Sequence, residues 1–341
     1  MYSFRNDYSE GAHPSILESL VRTNMEQTAG YGEDAYSEEA KALIKNHIGR
    51  EDVAIHFLVG GTQTNLTALS AFLRPHEAAI AANSGHIAVH ETGAIEATGH
   101  KVITRNTKDG KLTIAHIESV LKEHTDEHMV KPKLVYISDS TEVGTIYYKE
   151  ELKLLSEYCK AHGLLLFIDG ARLGSALMAE DNDVTLADLA QVADAFYIGG
   201  TKNGALLGEA LVIVNDALKE DFRYHIKQKG GLLAKGRIIS IGYIELFKEK
   251  LFFELAEHAN DMAKLLLEGI EAAGYSTLTP STTNQIFPVL PKEVLGKLQE
   301  HFDFSVWEVV DENHTAIRLV TSWATPKEAV DTFCKTLKEI S

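Results

Sequence analysis

The chain has 341 residues, and 33 Lys and Arg against 49 Asp and Glu leave a formal charge of −16. That sign argues against nucleic acid or an anionic membrane as the main partner, although a local basic patch can still hold an anionic ligand. No apolar run approaches the roughly 20 residues of a membrane span, and the polar start Met1–Gly11 does not read as a secretory leader. The two cysteines, Cys159 and Cys334, fall in helix-like stretches, so no disulfide framework is expected and a reducing cytoplasm is the expected setting.

In chain order, amphipathic stretches alternate with short apolar runs rich in β-branched residues. A helix is predicted at Ser37–Ile48, a strand at Val53–Val59, a helix at Thr62–Phe72 and strands at Ala78–Ala82 and Lys101–Thr104. A helix follows at Ile114–Glu123, a strand at Leu134–Ile137 and a helix at Lys149–His162. Strands are then predicted at Leu164–Ile168, Ala195–Ile198 and Ala210–Val214. This interleaving predicts α/β architecture with a large, mainly parallel sheet. After Lys235 the rhythm changes. Ile238–Ala273 reads as one long helical stretch, followed by strands at Gln285–Leu290, Val306–Val309 and Ala316–Val320 and a closing helix at Lys327–Ile340. The change predicts a boundary near Gly236–Gly242, with a large unit over 1–240 and a smaller α/β unit over 241–341 on which the extreme N-terminus packs.

Ligands of open α/β sheets sit beyond the carboxyl ends of the strands, and three strand ends there carry chemistry. Gly60-Gly61-Thr62-Gln63-Thr64-Asn65 opens a helix, where close backbone approach and free N–H groups suit a phosphate. The same residues also fit a plain turn with a threonine cap. Phe167-Ile168-Asp169-Gly170-Ala171-Arg172 sets a carboxylate at the rim of an apolar strand. Asp169 there either caps the next helix or meets a cation such as a protonated heterocyclic nitrogen, and Arg172 beside it suits a carboxylate. Tyr197-Ile198-Gly199-Gly200-Thr201-Lys202-Asn203-Gly204 puts a lysine between glycines just past a strand. A lysine depressed by burial and neighbouring cations forms Schiff bases. Asp169 and Lys202 lie 33 positions apart, about one βαβ unit of roughly 30 residues, so both can face one site.

With these stretches in view, the sequence resembles the threonine aldolases of the bacterial, low-specificity branch, within the fold-type-I pyridoxal-phosphate enzymes. The matching segments are Gly30-Tyr31-Gly32-Glu33-Asp34, GGTQTN, His86 with Glu91 in HIAVHETGA, STEVG at Ser140–Gly144, FIDGAR, GGTKNG, and RLVTSW at Arg318–Trp323. The resemblance implies the aspartate aminotransferase fold, with a mixed, mainly parallel seven-stranded sheet and a small C-terminal domain. It implies pyridoxal phosphate bound to Lys202 as a Schiff base, with Asp169 on the pyridinium nitrogen and His86 stacked on the ring. Gly61, Thr62 and Gln63 would hold the phosphate, with Thr201 helping. Arg172 and Arg318 would bind the substrate carboxylate, and His128, from a neighbouring subunit, would lie near the substrate hydroxyl. The implied reaction is cleavage of a β-hydroxy-α-amino acid, such as L-threonine or L-allo-threonine, to glycine and an aldehyde by a homotetramer. β-Elimination and transamination are the nearest alternatives. Asn6 stands where the family often has Ser, so its contact with the substrate carboxylate is in question. Lys227, Lys235 and Arg237 all remain open as a phosphate contact across an interface.

One motif points elsewhere. His124-Thr125-Asp126-Glu127-His128 fits the H-x-x-E-H pattern of a zinc peptidase, in which both histidines share a helix face. The polar surroundings and the following Pro132 speak against a buried ligand helix. No G-x-G-x-x-G or G-x-x-x-x-G-K-[ST] nucleotide motif occurs.

Overall fold

A computed structural model describes all 341 residues. Its main sheet has seven strands in the spatial order Ala54–Leu58, Glu209–Ile213, Ala195–Gly199, Leu165–Asp169, Lys131–Ser138, Glu77–Ala82 and Val102–Arg105. Five neighbouring strands run parallel, and Glu209–Ile213 is antiparallel to both of its neighbours. The central strands are buried on both faces, which is why they read as continuous apolar runs rather than alternating ones. One layer packs Ile55, Ile137, Ile168, Ile198 and Val212 against helices that include Ala35–Ile48 and Arg237–Phe247. The other packs Leu58, Tyr136, Phe167, Tyr197 and Leu211 against the helix Gly61–Phe72.

A second, separate core lies beyond the sheet. It joins Met262, Leu266 and Ile270 of the helix Leu251–Ala272 to Ile317 and Leu319 of the strand His314–Val320 and to Phe333 and Leu337 of the last helix. Phe4 is fully buried in this core, and Tyr2–Ser3 pairs in parallel with Phe302–Asp303. The first residues of the chain are therefore built into its C-terminal third.

The predicted strands of the main sheet all form, with ends moved by no more than three residues. Two expectations are corrected. The stretch Ile238–Ala273 is two helices, Arg237–Phe247 and Leu251–Ala272, broken at Lys248-Glu249-Lys250. The turn folds Phe252 back onto Phe247, ring centroids 4.8 Å apart, so aromatic packing ends the first helix with no glycine or proline to announce it. Gln285–Leu290 is likewise two short strands, Gln285–Ile286 and Val289–Pro291. They are separated at Pro288, which has no N–H to give to a ladder.

Two glycines bring the chemistry together. The strand ends at Asp169 and Gly199 lie so close that a Cβ on Gly170 would overlap the Tyr197 carbonyl, and one on Gly199 would overlap the carbonyls of Ala171 and Gly170. The Gly199 N–H donates to the Gly170 carbonyl at 2.9 Å. Only glycine permits this approach, and it draws the loops bearing Asp169 and Lys202 to one point. Gly170→Ala is therefore expected to destabilise the fold by about 2 kcal/mol or more, seen as a lower urea midpoint. An unchanged midpoint would show that the crossing relaxes freely.

Candidate active site

The carboxyl ends of the parallel strands open on a cavity of about 500 Å³. It is lined by Gly60, Gly61 and Thr62 on one side, by His86, His90 and Glu142 on another, and by Arg172, Lys202 and Arg318 across from them. The chain is acidic as a whole, yet this cavity gathers three cations.

Asp169 lies under the floor, almost without solvent exposure. Its Oδ2 accepts hydrogen bonds from Asn65 Nδ2 at 3.0 Å and from the Tyr136 hydroxyl. Its Oδ1 accepts from the Ala171 N–H at 3.0 Å and from the Tyr197 hydroxyl. Burial alone would raise its pKa. The nearby His86 and the bonds from Tyr136, Tyr197 and Asn65 outweigh it and hold the carboxyl below its ordinary range. Burial and the Asp169 charge push both tyrosines far up, so they remain donors.

Asn65 also ties this floor to the wall. The same Nδ2 donates to Glu91 Oε1 at 2.7 Å, and Glu91 Oε1 meets His86 Nδ1 at 2.8 Å. The pair fixes the imidazole edge and leaves its Nε2 uncommitted. The His86 backbone N–H donates to Glu142 Oε1 at 2.9 Å, an oxygen that also accepts from Ser138 Oγ at 2.6 Å. Burial raises the Glu142 pKa against the pull of that hydroxyl. Burial, with the nearby His86 next, lowers the His90 pKa and so favours its neutral ring.

Lys202 is partly buried, and its ammonium is disfavoured first by burial and then by the Arg172 charge, so its pKa falls. The helix Gly61–Phe72 begins at Gly60 with no side-chain cap, and Gly61, Thr62 and Gln63 aim N–H groups at no protein acceptor. Gly61 sits so near Tyr197 that a Cβ would come within 3.0 Å of its hydroxyl. Gln63 does not point its amide into the cavity. Its Oε1 accepts from the Val59 N–H and its Nε2 donates to the Lys229 carbonyl, each at 3.3 Å. Thr201 Oγ1 accepts from the Gly208 N–H at 2.9 Å.

Arg172 has a partner that sequence reasoning did not foresee. Its Nε and Nη2 donate to the two oxygens of Asp7 at 2.7 and 3.0 Å, Asp7 being buried and Arg172 partly so. Asn284 Nδ2 adds a third bond to Asp7 at 2.9 Å. Arg318 is freer. Its Nη2 reaches the Arg5 carbonyl at 3.4 Å, its guanidinium lies 5.6 Å from the Trp307 ring centroid, and its buried Nε has no partner.

Several named residues lie apart. Asn6 Oδ1 accepts from the Tyr8 N–H and Ser9 Oγ, both at 3.0 Å, so it closes its own turn while Tyr8 reaches the cavity wall. His128 is exposed before the strand Lys131–Ser138, at the end of the sheet opposite the cavity and roughly 25 Å along it. Lys227 lies 4.6 Å from the Tyr31 ring centroid, Arg237 Nη2 donates to the Asn24 carbonyl at 3.3 Å and Lys235 is exposed. None of the three lines the cavity of its own chain. The zinc-peptidase pattern does not form. The helix Ile114–Glu123 ends before His124, so His124 and His128 share no helix face, and no three potential ligands gather anywhere.

Residues 4–292 match the beta-eliminating lyase family. The chain belongs to that family. Among its relatives, the low-specificity L-threonine aldolase of Pseudomonas aeruginosa is 31% identical over 96% of this chain and 94% of its own length. The Escherichia coli K12 enzyme of the same name is 26% identical over 94% of this chain and 93% of its own. The structure of the Leishmania major threonine aldolase superposes with a TM-score of 0.98 at 53% identity, covering 99% of both chains. A mutant aspartate aminotransferase from Thermus thermophilus, 16% identical, superposes with a TM-score of 0.72 over 98% of this chain and 89% of its own. That likeness concerns the fold alone, and the family member described here has the aspartate aminotransferase architecture.

Asp169 makes the site sensitive to acid. Its folded pKa is depressed, so it adds stability above the ordinary carboxylate value of about 4 and loses that contribution as pH falls through the folded value. The difference in unfolding free energy between wild type and Asp169→Asn should be largest near neutral pH and shrink below about pH 4. Urea titrations across that range check it, and a difference independent of pH would contradict it.

Proposed function

We propose that the chain is a pyridoxal-phosphate-dependent aldolase that cleaves L-threonine, L-allo-threonine or a related β-hydroxy-α-amino acid into glycine and an aldehyde. The observation that carries the reading is one cavity joining a partly buried lysine of lowered pKa, a buried ionised carboxylate beneath it and a helix start with unpaired N–H groups. These fit the cofactor's aldehyde, ring nitrogen and phosphate respectively. Asp169 already has four donors, and Tyr197 is the one of them that also lines the cavity, so a ring nitrogen would be received on that side.

Bound there, the cofactor supplies an electron-withdrawing ring that accepts the electron pair left on Cα when the Cα–Cβ bond breaks. Asp169 would keep a proton on the ring nitrogen, and Lys202 would supply the amine for covalent attachment. Gly61, Thr62 and Gln63 would offer backbone donors to the phosphate, with Thr201 beside them, and His86, braced by Glu91, would hold the ring. Arg318 takes the substrate carboxylate, and Arg172, held by Asp7, gives that corner its second positive charge. Asn6 serves here through the turn it closes, which sets Tyr8 at the wall. Of the side chains lining the cavity, the His86 and His90 imidazoles can take up the hydroxyl proton.

The relatives' threonine aldolase names support this substrate class, and the family's β-eliminating name supports elimination only as a family-level alternative. Assembly as a homotetramer would bring His128 and one of Lys227, Lys235 or Arg237 to a neighbouring site, since within one chain they stand outside it.

The purified protein should show a visible cofactor band that borohydride fixes to the Lys202 peptide, and should release glycine and acetaldehyde from L-threonine. Lys202→Ala should lower turnover by at least about a thousandfold. Arg318→Ala should raise KM for L-threonine at least about tenfold. Formation of 2-oxobutanoate and ammonia would point to elimination instead, and no band after adding pyridoxal phosphate would overturn the cofactor reading.

A further inference from the structure

One acidic group on the cavity wall has no part in the scheme above. Glu209 opens the strand Glu209–Ile213, opposite Gly199 on one neighbour and Leu58 on the other. Those neighbours run on into Thr201-Lys202 and into Gly60-Gly61-Thr62. With Leu211 and Ile213, it faces the layer that holds the helix Gly61–Phe72, since alternate residues of a strand share a face. Glu209 is only 4% exposed, its Oε2 has no hydrogen-bond partner, and it lines the cavity with Gly61, Thr62 and Thr201. The corner that offers unpaired N–H groups to a phosphate thus also holds a carboxyl with an idle oxygen. A carboxylate there would repel the phosphate in a site with little water to screen it. A neutral carboxyl would instead donate its proton to a phosphate oxygen.

We propose that Glu209 is a protonated hydrogen-bond donor to the phosphate of the cofactor, and that its ionisation in alkaline solution weakens cofactor binding. The proposal rests on the pyridoxal-phosphate reading and adds a residue and a pH limit to it.

The surroundings favour the neutral form. Burial raises the Glu209 pKa to about 8, with Asp169 acting in the same direction and Lys202, the Thr201 hydroxyl and the Gly200 backbone opposing. On the packed elements, Lys202, Asp169, Tyr197 and Tyr243 are the titratable groups that feel its charge or act on it. His56, on the neighbouring strand Ala54–Leu58, is held neutral by burial, its pKa lowered to about 4. The helix Gly61–Phe72 brings only Gly, Thr, Gln, Thr and Asn in its first five positions, and Lys229 meets it through a backbone carbonyl. Below about pH 8 the carboxyl donates; above it the group becomes an anion beside an anion.

The test titrates the full chain and Glu209→Gln with 4′-deoxypyridoxine 5′-phosphate, which has no aldehyde and so cannot bond to Lys202. Ionisation of the ligand is common to both proteins and cancels in their comparison. The wild-type dissociation constant should rise roughly tenfold or more between pH 7 and pH 9.5. E209Q, neutral at every pH and still a donor, should bind like wild type at pH 7 and change about threefold or less. An equal pH dependence in both proteins would overturn the proposal, as would a tenfold loss in E209Q at pH 7, because the site would then need the carboxylate. Should E209Q fail to fold, Glu209→Met carries the same comparison, and a profile as steep as wild type has the same meaning. Wild type that binds neither this analogue nor pyridoxal phosphate at pH 7 would overturn the cofactor reading itself, and the Glu209 assignment with it.

Discussion

The buried charge of Asp169 is the constraint around which the site is arranged. A carboxylate out of water is tolerated only when its oxygens are hydrogen-bonded, and here the donors come from three other parts of the chain: Asn65, Tyr136 and Tyr197. Each is thereby fixed in place. Tyr197 in turn bounds the helix start at Gly61, and Asn65 passes the constraint through Glu91 to His86. One ionised group therefore sets the floor, one wall and the Gly61 end of the cavity together. The glycines at 170 and 199 are the backbone counterpart, because the strands must meet closely for Asp169 and Lys202 to share a site.

Electrostatics then divides the acids of the site into two kinds. Asp169 and Asp7 are buried with enough donors and cations to remain ionised, and both have lowered pKa values despite burial. Glu142 and Glu209 are as well buried but poorly compensated, and both are raised. Burial is common to all four, so the number and charge of the partners decide the outcome. The same logic explains how a chain of formal charge −16 presents a cavity suited to anions. The cations Lys202, Arg172 and Arg318 converge there, while two of the nearest acids are biased toward neutrality.

What the sequence disclosed followed the range of the interaction responsible. Apolar runs bounded by glycine and polar residues marked every strand of the main sheet, and Asp169 and Lys202 stood out because each ends such a run. The break at Lys248–Lys250 left no local mark, since stacking of Phe252 on Phe247 causes it. Asp7 was passed over because its importance comes from Arg172 and Asn284, respectively 165 and 277 positions away. Glu209 had a faint signal, a lone acid at the head of the apolar run Ala-Leu-Val-Ile. A carboxyl at the mouth of a buried strand is a reason to ask what keeps it there.

The Asp7–Arg172 pair bears on how the two cores work together. Phe4 is buried in the second core, its carbonyl accepts from the Val320 N–H at 2.8 Å, and three residues later Asp7 clamps Arg172 at the end of the central sheet. Asn284, just before a strand that pairs with His314–Val320, donates to the same carboxylate. Arg318 projects from that strand into the cavity. The N-terminal segment is thus a short strap that holds the second core, and with it Arg318, at a set position over the sheet. A buried pair of this kind adds little net stability compared with apolar packing, and losing one partner is costly because it strands the other charge. Its value here is geometric: the two arginines proposed for the substrate carboxylate sit on different cores, and the strap keeps them facing one cavity.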